Sequence, residues 1–294
     1  SQLSTSPRQQ RTLARSATVA GHGYWSGEDV RVEFRPAPPW TGLVFVRSDL
    51  ETLDRIPALA AHRIEVPRRT VLSTESARVE MIEHALAALA ALQIDNCEIW
   101  VDRQELPGLD GSAQAYVEAL DWAGVTIQVA PRETLRITEV VRLGDEQSWI
   151  EARPSNQPGL SLRYELDYGP KSPIMPQTRQ LTISPRVFRE QLSMCRTFML
   201  KSEAEWIIAQ GLGHRATLQD LLIFDTNGPV ENTLRFDDEC VRHKLLDLVG
   251  DLALAGCDLQ GHITSYRSGH RLNAELVRVL KESGEHQLLR RKSA

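Results

Sequence analysis

The order of predicted strands and helices restricts the fold of this chain more than any other feature, because the same order occurs twice. Short strands followed by two helices are predicted from residue 11 to about residue 124, and a similar order recurs from about residue 132 to the end. A chain of 294 residues also exceeds what a single core usually organises. The sequence therefore predicts an α+β protein with two similar domains, each a β-sheet packed against helices.

The individual elements follow from residue periodicity. Alternating or β-rich runs predict strands at residues 30–34, 42–46, 97–101, 134–141, 149–152, 160–168, 180–183 and 263–267. Apolar residues at helical spacing, with capping signals, predict helices at residues 79–92, 113–122, 186–195, 203–210, 237–255 and 273–283. Residues 125–133 contain Pro131 and no helical pattern, which indicates a linker. The predicted divisions are a disordered tail at 1–10, an N-terminal domain at 11–126 and a C-terminal domain at 132–294.

The composition indicates which kinds of binding partner and which cellular location to expect. Acidic side chains outnumber basic ones by 39 to 34, and a formal charge of −5 gives no general attraction for nucleic acid or anionic membranes. The longest apolar run, residues 85–92, is far shorter than the about 20 residues that a membrane-spanning helix needs. Four cysteines without CxxC spacing are typical of free thiols, and the first ten residues lack a signal-peptide core. The sequence predicts a cytoplasmic protein with no nucleic-acid partner and no transmembrane segment, and it carries no signal of oligomeric state.

The helix predicted at residues 237–255 carries three polar side chains on one face. His243 and Asp247 are four residues apart, and Asp251 continues the same row. Imidazole and carboxylate are zinc ligands, and a catalytic zinc takes three protein ligands and a water, so this pair would supply two of the three. A solvated surface stripe is the alternative. The remaining positions are mostly apolar, however, which indicates a buried helix whose carboxylates need a partner or a metal.

Four further residues are of types that suit catalysis. Glu83 and His84 lead into an apolar helix, where a helix-start carboxylate beside a core histidine is the alternative. His270 follows a predicted strand and enters a helix, as an active-site residue or as a capping histidine. Thr197 lies at a helix end, where it would serve as a cap. The sequence contains no HExxH, HxxEH, GxGxxG, GxxxxGK[ST] or GxSxG, so the corresponding peptidase, nucleotide-binding and serine-hydrolase motifs are excluded.

Taken together, these runs resemble the UDP-3-O-acyl-N-acetylglucosamine deacetylases, the zinc amidases of lipid A biosynthesis. The resemblance extends from residue 11 to about residue 280, and its specificity comes from many matches in the same order. The matching runs are Arg11-Thr12-Leu13, Gly21 to Gly27, Arg35-Pro36-Ala37-Pro38, Glu83-His84, Ala87-Ala88-Leu89, Ile94 with Asn96, Glu105-Leu106-Pro107, Asp110-Gly111-Ser112, Arg196-Thr197-Phe198, Leu234-Arg235-Phe236, His243 to Asp251, Ser268-Gly269-His270 and Leu272-Asn273.

The resemblance implies a hydrolase that removes acetate from UDP-3-O-acyl-N-acetylglucosamine, with the active site between the two domains. The implied metal ligands are His84, His243 and Asp247, a set that suits Zn²⁺ and also Fe²⁺. The implied catalytic residues are Glu83 as general base, His270 as general acid, Asp251 as the partner of His270, and Thr197 as a group that polarises the scissile carbonyl. The implied substrate contacts are Lys244 and Phe198. Positive charge for a UDP-sugar would come from Lys244, Arg267 and Arg271.

The chain departs from the family pattern in three places. Tyr24-Trp25-Ser26-Gly27 stands where the family usually has a histidine in a Gly-Leu-His-Ser/Thr-Gly run, and Arg215-Ala216-Thr217 stands at its Gly-Gly-Ser turn. Met81-Ile82 replaces Thr-Val, a change expected to affect only packing. The first two departures motivate an alternative, a non-catalytic relative that binds a UDP-sugar or an acyl ligand. A further alternative keeps the metal site and hydrolyses another N-acetyl amino sugar.

Overall fold

The computed structural model describes residues 7–292, with side chains described up to residue 284. Nineteen strands and six α-helices occur within these residues. The strands are β1 (Gln9–Leu13), β2 (Ala17–His22), β3 (Asp29–Pro36), β4 (Leu43–Arg47), β5 (Arg55–Pro57), β6 (Arg63–Ile64), β7 (Val71–Ser73), β8 (Arg78–Glu80), β9 (Cys97–Val101), β10 (Val125–Pro131), β11 (Thr134–Arg136), β12 (Val141–Gly144), β13 (Trp149–Arg153), β14 (Leu160–Leu166), β15 (Gln177–Thr182), β16 (Phe198–Leu200), β17 (Leu222–Asp225), β18 (Gly228–Pro229) and β19 (Asp258–Tyr266). The helices are α1 (Glu83–Ala91), α2 (Gln114–Ala123), α3 (Pro185–Gln191), α4 (Lys201–Ala209), α5 (Glu239–Leu252) and α6 (His270–Lys292), with short 3₁₀ turns at Ala60–His62 and Ala253–Ala255.

Two large sheets share one topology. The strand order is β2-β3-β9-β4-β5 in the N-terminal half and β12-β13-β19-β14-β15 in the C-terminal half, where β11 also pairs with β19. In each sheet the strand that comes last in the chain lies at the centre, parallel to one neighbour and antiparallel to the other. The parallel pairs place Phe45 opposite Ile99, and Leu162 opposite Ile263. This repeated order confirms the predicted α+β class with two similar halves.

The helices also occupy equivalent places in the two halves. One helix precedes and another follows each central strand, namely α1 and α2 around β9, and α5 and α6 around β19. Helices α1 and α5 pack against each other, and every residue of α5 except Lys244 is buried. Gly250 permits this close approach, because a Cβ at this position would lie 2.1 Å from the carbonyl oxygen of Glu83. The polar row on α5 is therefore an interior feature, and the solvated-stripe alternative is wrong.

Several predicted elements have different bounds in the structure; the strand predicted at residues 263–267, for example, is Asp258–Tyr266. The helix expected at residues 79–92 begins at Glu83, because Arg78–Glu80 pairs with β7 as strand β8 and Met81 then takes a φ of 56°. Val79 fits both the helical and the strand periodicity, and its cross-strand pairing determines that it is in a strand. The strand expected at residues 134–141 ends at Arg136, and the chain resumes strand geometry only at Val141.

Two small sheets, β6-β7-β8 and β16-β17-β18, were not predicted from the sequence. Each consists of strands of two to four residues, which are too short to show a period. Both sheets border the cavity described below, through Met81 after β8 and through Phe198, Met199 and Ile223 in β16 and β17. These two unpredicted sheets therefore both lie beside the cavity.

The segment predicted as a linker is a strand. Val125–Pro131 forms β10, which runs antiparallel to β1. Strand β1 already begins at Gln9, and the Arg8 side chain binds two carboxylates, so Arg8–Gln10 are ordered, contrary to the predicted tail. Residues 1–6 of that tail lie outside the described residues. The domain boundaries at 11–126 and 132–294 stay a prediction.

The cysteines and the helices bear on two further expectations. All four cysteines are free and buried. Within residues 7–292, no helix is both long enough and apolar enough to span a membrane.

Candidate active site

A cavity of about 810 Å³ lies where α1 meets α5. Its wall includes side chains from both halves of the chain, among them eight of the ten predicted site residues. These eight are Glu83, His84, Thr197, Phe198, His243, Lys244, Asp247 and His270. Asp251 is fully buried and bonds to His270 from outside the wall, and Arg271 lies on the wall whereas Arg267 does not.

Three of the side chains form a compact cluster. The Nε2 atom of His84 lies 3.5 Å from Oδ1 of Asp247, and Nε2 of His243 lies 3.3 Å from the same oxygen. The two imidazole rings are 5.0 Å apart at an interplanar angle of 84°. A tetrahedral metal with bonds of about 2.0–2.2 Å separates its ligand atoms by roughly 3.3–3.6 Å, which both distances match. The three residues therefore have the donor types and the spacing of a divalent-metal site.

The orientation of His243 is set by a backbone group. Its Nδ1 lies 2.9 Å from the carbonyl oxygen of Cys195, so Nδ1 carries the proton and donates it. This leaves the lone pair of Nε2 directed at the cluster, as in metal sites whose histidines are fixed by an outer hydrogen bond. Burial lowers the pKa of His243 to about 4, which keeps the imidazole neutral. Neutral imidazole is the form that binds metals.

Asp247 is ionised despite its burial. Burial opposes the charge, but the positive charges of neighbouring groups hold its pKa well below the usual range. One of these neighbours is Lys244, whose Nζ lies 3.0 Å from Oδ2. Burial opposes the charge of Lys244 as well, and Asp247 more than offsets it and raises its pKa. The cluster therefore presents one carboxylate and two imidazoles to a metal, with a cation beside them.

Glu83 and His270 form a second pair next to this cluster. The Nε2 atom of His270 lies 3.9 Å from Oε1 of Glu83. On its other side, Nδ1 of His270 lies 2.8 Å from Oδ2 of Asp251, a carboxylate with no exposed surface. This arrangement of carboxylate, imidazole and carboxylate places an acid and a base within reach of one small group in the cavity.

The pKa values of Glu83 and His270 are both raised, for different reasons. Burial raises the pKa of Glu83 above its usual range, against the effect of nearby histidines. Burial alone would lower the pKa of His270, but the charge and hydrogen bond of Asp251 outweigh it and raise the pKa to about 9. Near neutral pH, His270 therefore carries a proton that it can donate, and Glu83, when ionised, can accept one.

The segment that carries Thr197 is fixed by a buried ion pair. The guanidinium of Arg196 binds both oxygens of Glu239, and their side chains are 6% and 0% exposed. Glu239 lies in the first turn of α5 and also accepts the backbone N–H of Arg196. The pair thus holds the Cys195 carbonyl against His243 and presents Thr197 and Phe198 to the cavity.

All three family departures have residues on the wall of this cavity, namely Trp25, Met81 and Ala216-Thr217. Trp25 is on the wall, with the guanidinium of Arg69 4.6 Å from the centre of its ring and its backbone N–H donated to Glu105. Arg215 donates to the carbonyl of Gly27 and to Asp29, both at 2.7 Å. The segment that replaces the Gly-Gly-Ser turn is therefore bonded to the segment that carries Trp25.

Sequence reasoning missed several residues of this network. Asn273 donates to Oδ2 of Asp251 and follows His270 by three residues on α6, so helical spacing could have placed it on the same face. Thr70 donates to both Glu83 and Asp251, yet it lies in a short hairpin with no detectable period. The Cys195 carbonyl and Glu239 carry no sequence signal, because their roles depend on the meeting of distant segments.

A larger cavity, of about 960 Å³, lies elsewhere on the molecule. Its charged lining includes Arg8, Arg132, Asp95 and Asp258, and these four side chains pair with one another. The nucleophilic and metal-binding groups of the first cavity have no counterpart among them. The smaller cavity is therefore the candidate active site.

The sequence as a whole matches one protein family. The family model of the UDP-3-O-acyl N-acetylglycosamine deacetylases matches residues 10–282. The chain is 37% identical over 270 residues to the UDP-3-O-acyl-N-acetylglucosamine deacetylase of Myxococcus xanthus, covering 92% of this chain and 85% of that protein. It is 38% identical over 280 residues to the same-named protein of Actinobacillus succinogenes, covering 94% and 91%. The corresponding protein of Brucella ovis is 38% identical over 277 residues, covering 92% and 94%.

Proposed function

Because the chain belongs to the UDP-3-O-acyl-N-acetylglucosamine deacetylase family, we propose that it is a metal-dependent amidohydrolase that removes acetate from UDP-3-O-acyl-N-acetylglucosamine, the committed step of lipid A biosynthesis. The observation that carries the proposal is the adjacency of the His84, His243 and Asp247 cluster to the Glu83 and His270 pair. The four free cysteines support a cytoplasmic location for the reaction.

His84, His243 and Asp247 would hold the metal, Zn²⁺ or Fe²⁺. Their donor atoms all lie within 4.8 Å of one another, and the set of two imidazoles and one carboxylate suits both ions. When bound, such an ion acidifies water and stabilises negative charge on a carbonyl oxygen. The remaining steps are assigned to side chains of the protein.

Glu83 is the general base. Its carboxylate accepts a proton from the water that attacks the acetyl carbonyl carbon, and the new C–O bond forms as that proton is transferred. Burial removes bulk water around the carboxylate and raises its pKa, which strengthens it as a base near neutral pH. Thr197, on the same wall, would donate its hydroxyl to the oxygen on which charge develops.

His270 is the general acid. The C–N bond breaks as the Nε2–H of His270 donates its proton to the glucosamine nitrogen, which leaves as an amine beside acetate. Asp251 stabilises the protonated imidazole through its hydrogen bond to Nδ1 and directs Nε2 into the cavity. The proton gained by Glu83 and the proton lost by His270 balance over one turnover.

Lys244 and Phe198 are the proposed substrate contacts. Lys244 donates to Asp247 of the metal cluster, and Phe198 packs edge-on against His243 with a centroid distance of 6.2 Å. Arg271 on the cavity wall supplies further positive charge for the diphosphate. Arg267 stays a prediction that the cavity geometry does not support, since its guanidinium lies 5.7 Å from the ring of Tyr266, outside the lining.

The test is acetate release from UDP-3-O-acyl-N-acetylglucosamine by the metal-loaded protein, with His84→Ala as the matched variant. We expect release by the parent, little or none by the variant, and a lower metal content in the variant. Unacylated UDP-N-acetylglucosamine and an unrelated N-acetyl amino sugar serve as alternative substrates. Faster turnover of either would contradict the proposed substrate, and no release from a folded, metal-loaded parent would contradict the activity.

A further inference from the structure

Thr70 is a buried residue that joins the two proton-transfer groups of the cavity. It lies just before β7 and has no exposed surface. Its backbone N–H donates to Oε2 of Glu83 at 3.1 Å, and its hydroxyl donates to Oδ1 of Asp251 at 2.6 Å. Glu83 belongs to the N-terminal half and Asp251 to α5 of the C-terminal half, so one residue links a carboxylate from each.

The hydroxyl of Thr70 completes the hydrogen bonding of Asp251. The other oxygen, Oδ2, accepts from Nδ1 of His270 and from the amide of Asn273, both at 2.8 Å. A carboxylate only accepts, so the hydroxyl proton must point at Oδ1. With donors on both oxygens and no solvent contact, the plane of the Asp251 carboxylate is fixed. The ring of His270 takes its direction from that plane.

The two carboxylate oxygens of Glu83 also face different groups. Its Oε2 is held by the Thr70 N–H, which leaves Oε1 directed at Nε2 of His270, 3.9 Å away. Thr70 therefore acts on the base directly and on the acid through Asp251. Misplacement of either group by about 1 Å can cost on the order of 100-fold in rate.

We propose that Thr70 is a positioning residue that sets the distance and orientation of Glu83 relative to His270. The expected effect on kcat rests on the proposed function. The expected effect on the positions of Glu83 and His270 does not. Its hydrogen bonds go to Glu83 and Asp251, neither of which is a proposed metal ligand, so metal binding should not depend on the hydroxyl.

The kinetic test compares Thr70→Val with Thr70→Ser. Valine keeps the shape and the backbone N–H but removes the hydroxyl, whereas serine keeps both donors. We expect Thr70→Val to lower kcat by about 10- to 100-fold with KM and metal content close to those of the parent, and Thr70→Ser to stay within about threefold of the parent. Should the valine variant not fold, Thr70→Ala removes the same hydroxyl without adding a misplaced methyl group.

A control separates positioning from general stability. Thr12 is also buried, and its hydroxyl donates to the carbonyl of Asn96 at 2.7 Å, remote from the cavity wall. Thr12→Val should lower the melting temperature without changing kcat of the folded protein. A loss of kcat in Thr12→Val equal to that in Thr70→Val, or an equal loss in Thr70→Ser, would overturn the proposal.

A second readout does not require turnover. The Nδ1 proton of His270, bonded to Asp251, should give a downfield proton NMR signal that His270→Gln lacks. We expect Thr70→Val to shift or abolish this signal and Thr70→Ser to retain it. An unchanged signal in Thr70→Val would overturn the proposal even if the parent is active. A shifted signal in a protein that releases no acetate would instead uphold the positioning role and count against the proposed function.

Discussion

At the residue scale, Glu83 and His270 must hold opposite protonation states at the same pH. Different effects set the two pKa values. Burial raises the pKa of Glu83, whereas the charge of Asp251 overcomes burial and raises the pKa of His270 to about 9. The proposed reaction needs Glu83 ionised and His270 protonated, so activity is expected only between the two pKa values.

The first prediction concerns the pH profile of kcat/KM. Activity should fall as the pH drops through the raised pKa of Glu83, and it should fall again as the pH rises through about 9, where His270 loses its proton. In Asp251→Asn the group that raises the pKa of His270 is gone, so the alkaline limb should move to lower pH. The measurement is kcat/KM from pH 5 to 10 for both proteins.

Glu282→Gln is the control for this prediction. Glu282 is an exposed carboxylate of α6 paired with Arg278 at 3.6 Å, and it is not part of the His270 network. Its profile should superimpose on that of the parent. An alkaline limb that stays in place in Asp251→Asn would contradict the assignment of His270 as the acid.

Residue patterns revealed part of this site and not the rest. The spacing of His243, Asp247 and Asp251 on one helix was sufficient to predict a shared face, because helical periodicity is local. The contacts of Thr70 could not be predicted, because they form only where a short hairpin meets α1 and α5. The hydrogen bond from His243 to a backbone carbonyl leaves no trace in residue type.

At the element scale, the site depends on how closely α1 and α5 approach. Ala-rich α1 presents small side chains, and α5 presents Gly250 to the backbone of Glu83. The same contact that packs the helices therefore sets the position of the base relative to Asp247 and Asp251. Both helices were predicted from apolar periodicity, but their contact was not, because pairing between elements requires the tertiary fold.

The second prediction is that Gly250→Ala is destabilising although alanine is the better helix former. Helix propensity favours alanine by about 1 kcal/mol, but its Cβ would lie 2.1 Å from the Glu83 carbonyl oxygen, which is backbone and cannot rotate away. We expect a loss of about 1–3 kcal/mol in the free energy of unfolding and a fall in kcat. Urea denaturation and acetate release measure the two effects.

Gly284→Ala in α6 is the matched control. A Cβ there would lie 3.2 Å from the end of the Leu135 side chain, which can move. This variant should be neutral or slightly stabilising, with unchanged activity. An equal change in the free energy of unfolding for the two variants would show that the close approach at Gly250 does not affect stability.

At the scale of the whole molecule, two similar halves share one core. Buried residues from Leu13 to Leu280 form a single continuous cluster that includes side chains of both large sheets. Away from the cavity, Arg8 and Arg132 each contact Asp95 of the N-terminal half and Asp258 of the C-terminal half. The duplication was visible in the sequence, whereas this ion-pair network was not, since Arg8 belonged to a segment with no structural pattern.

The third prediction is that the two halves unfold together. The parent should show one thermal transition, and Asp95→Asn should lower Tm by a few degrees without splitting it, because Asp95 is almost fully buried and holds both arginines. Glu190→Gln, in an exposed pair with Arg186, should leave Tm almost unchanged. Calorimetry that resolves two separate transitions in the parent would contradict a shared core.

Acetate release by Glu83→Gln, with metal content measured on the same sample, shows whether Glu83 is the base. Glutamine keeps the shape of the side chain but cannot accept the proton from water. We expect a metal content equal to that of the parent and turnover reduced by about 100-fold or more. Turnover close to that of the parent, with the metal retained, would contradict the assignment of Glu83 as the base and with it the proposed mechanism.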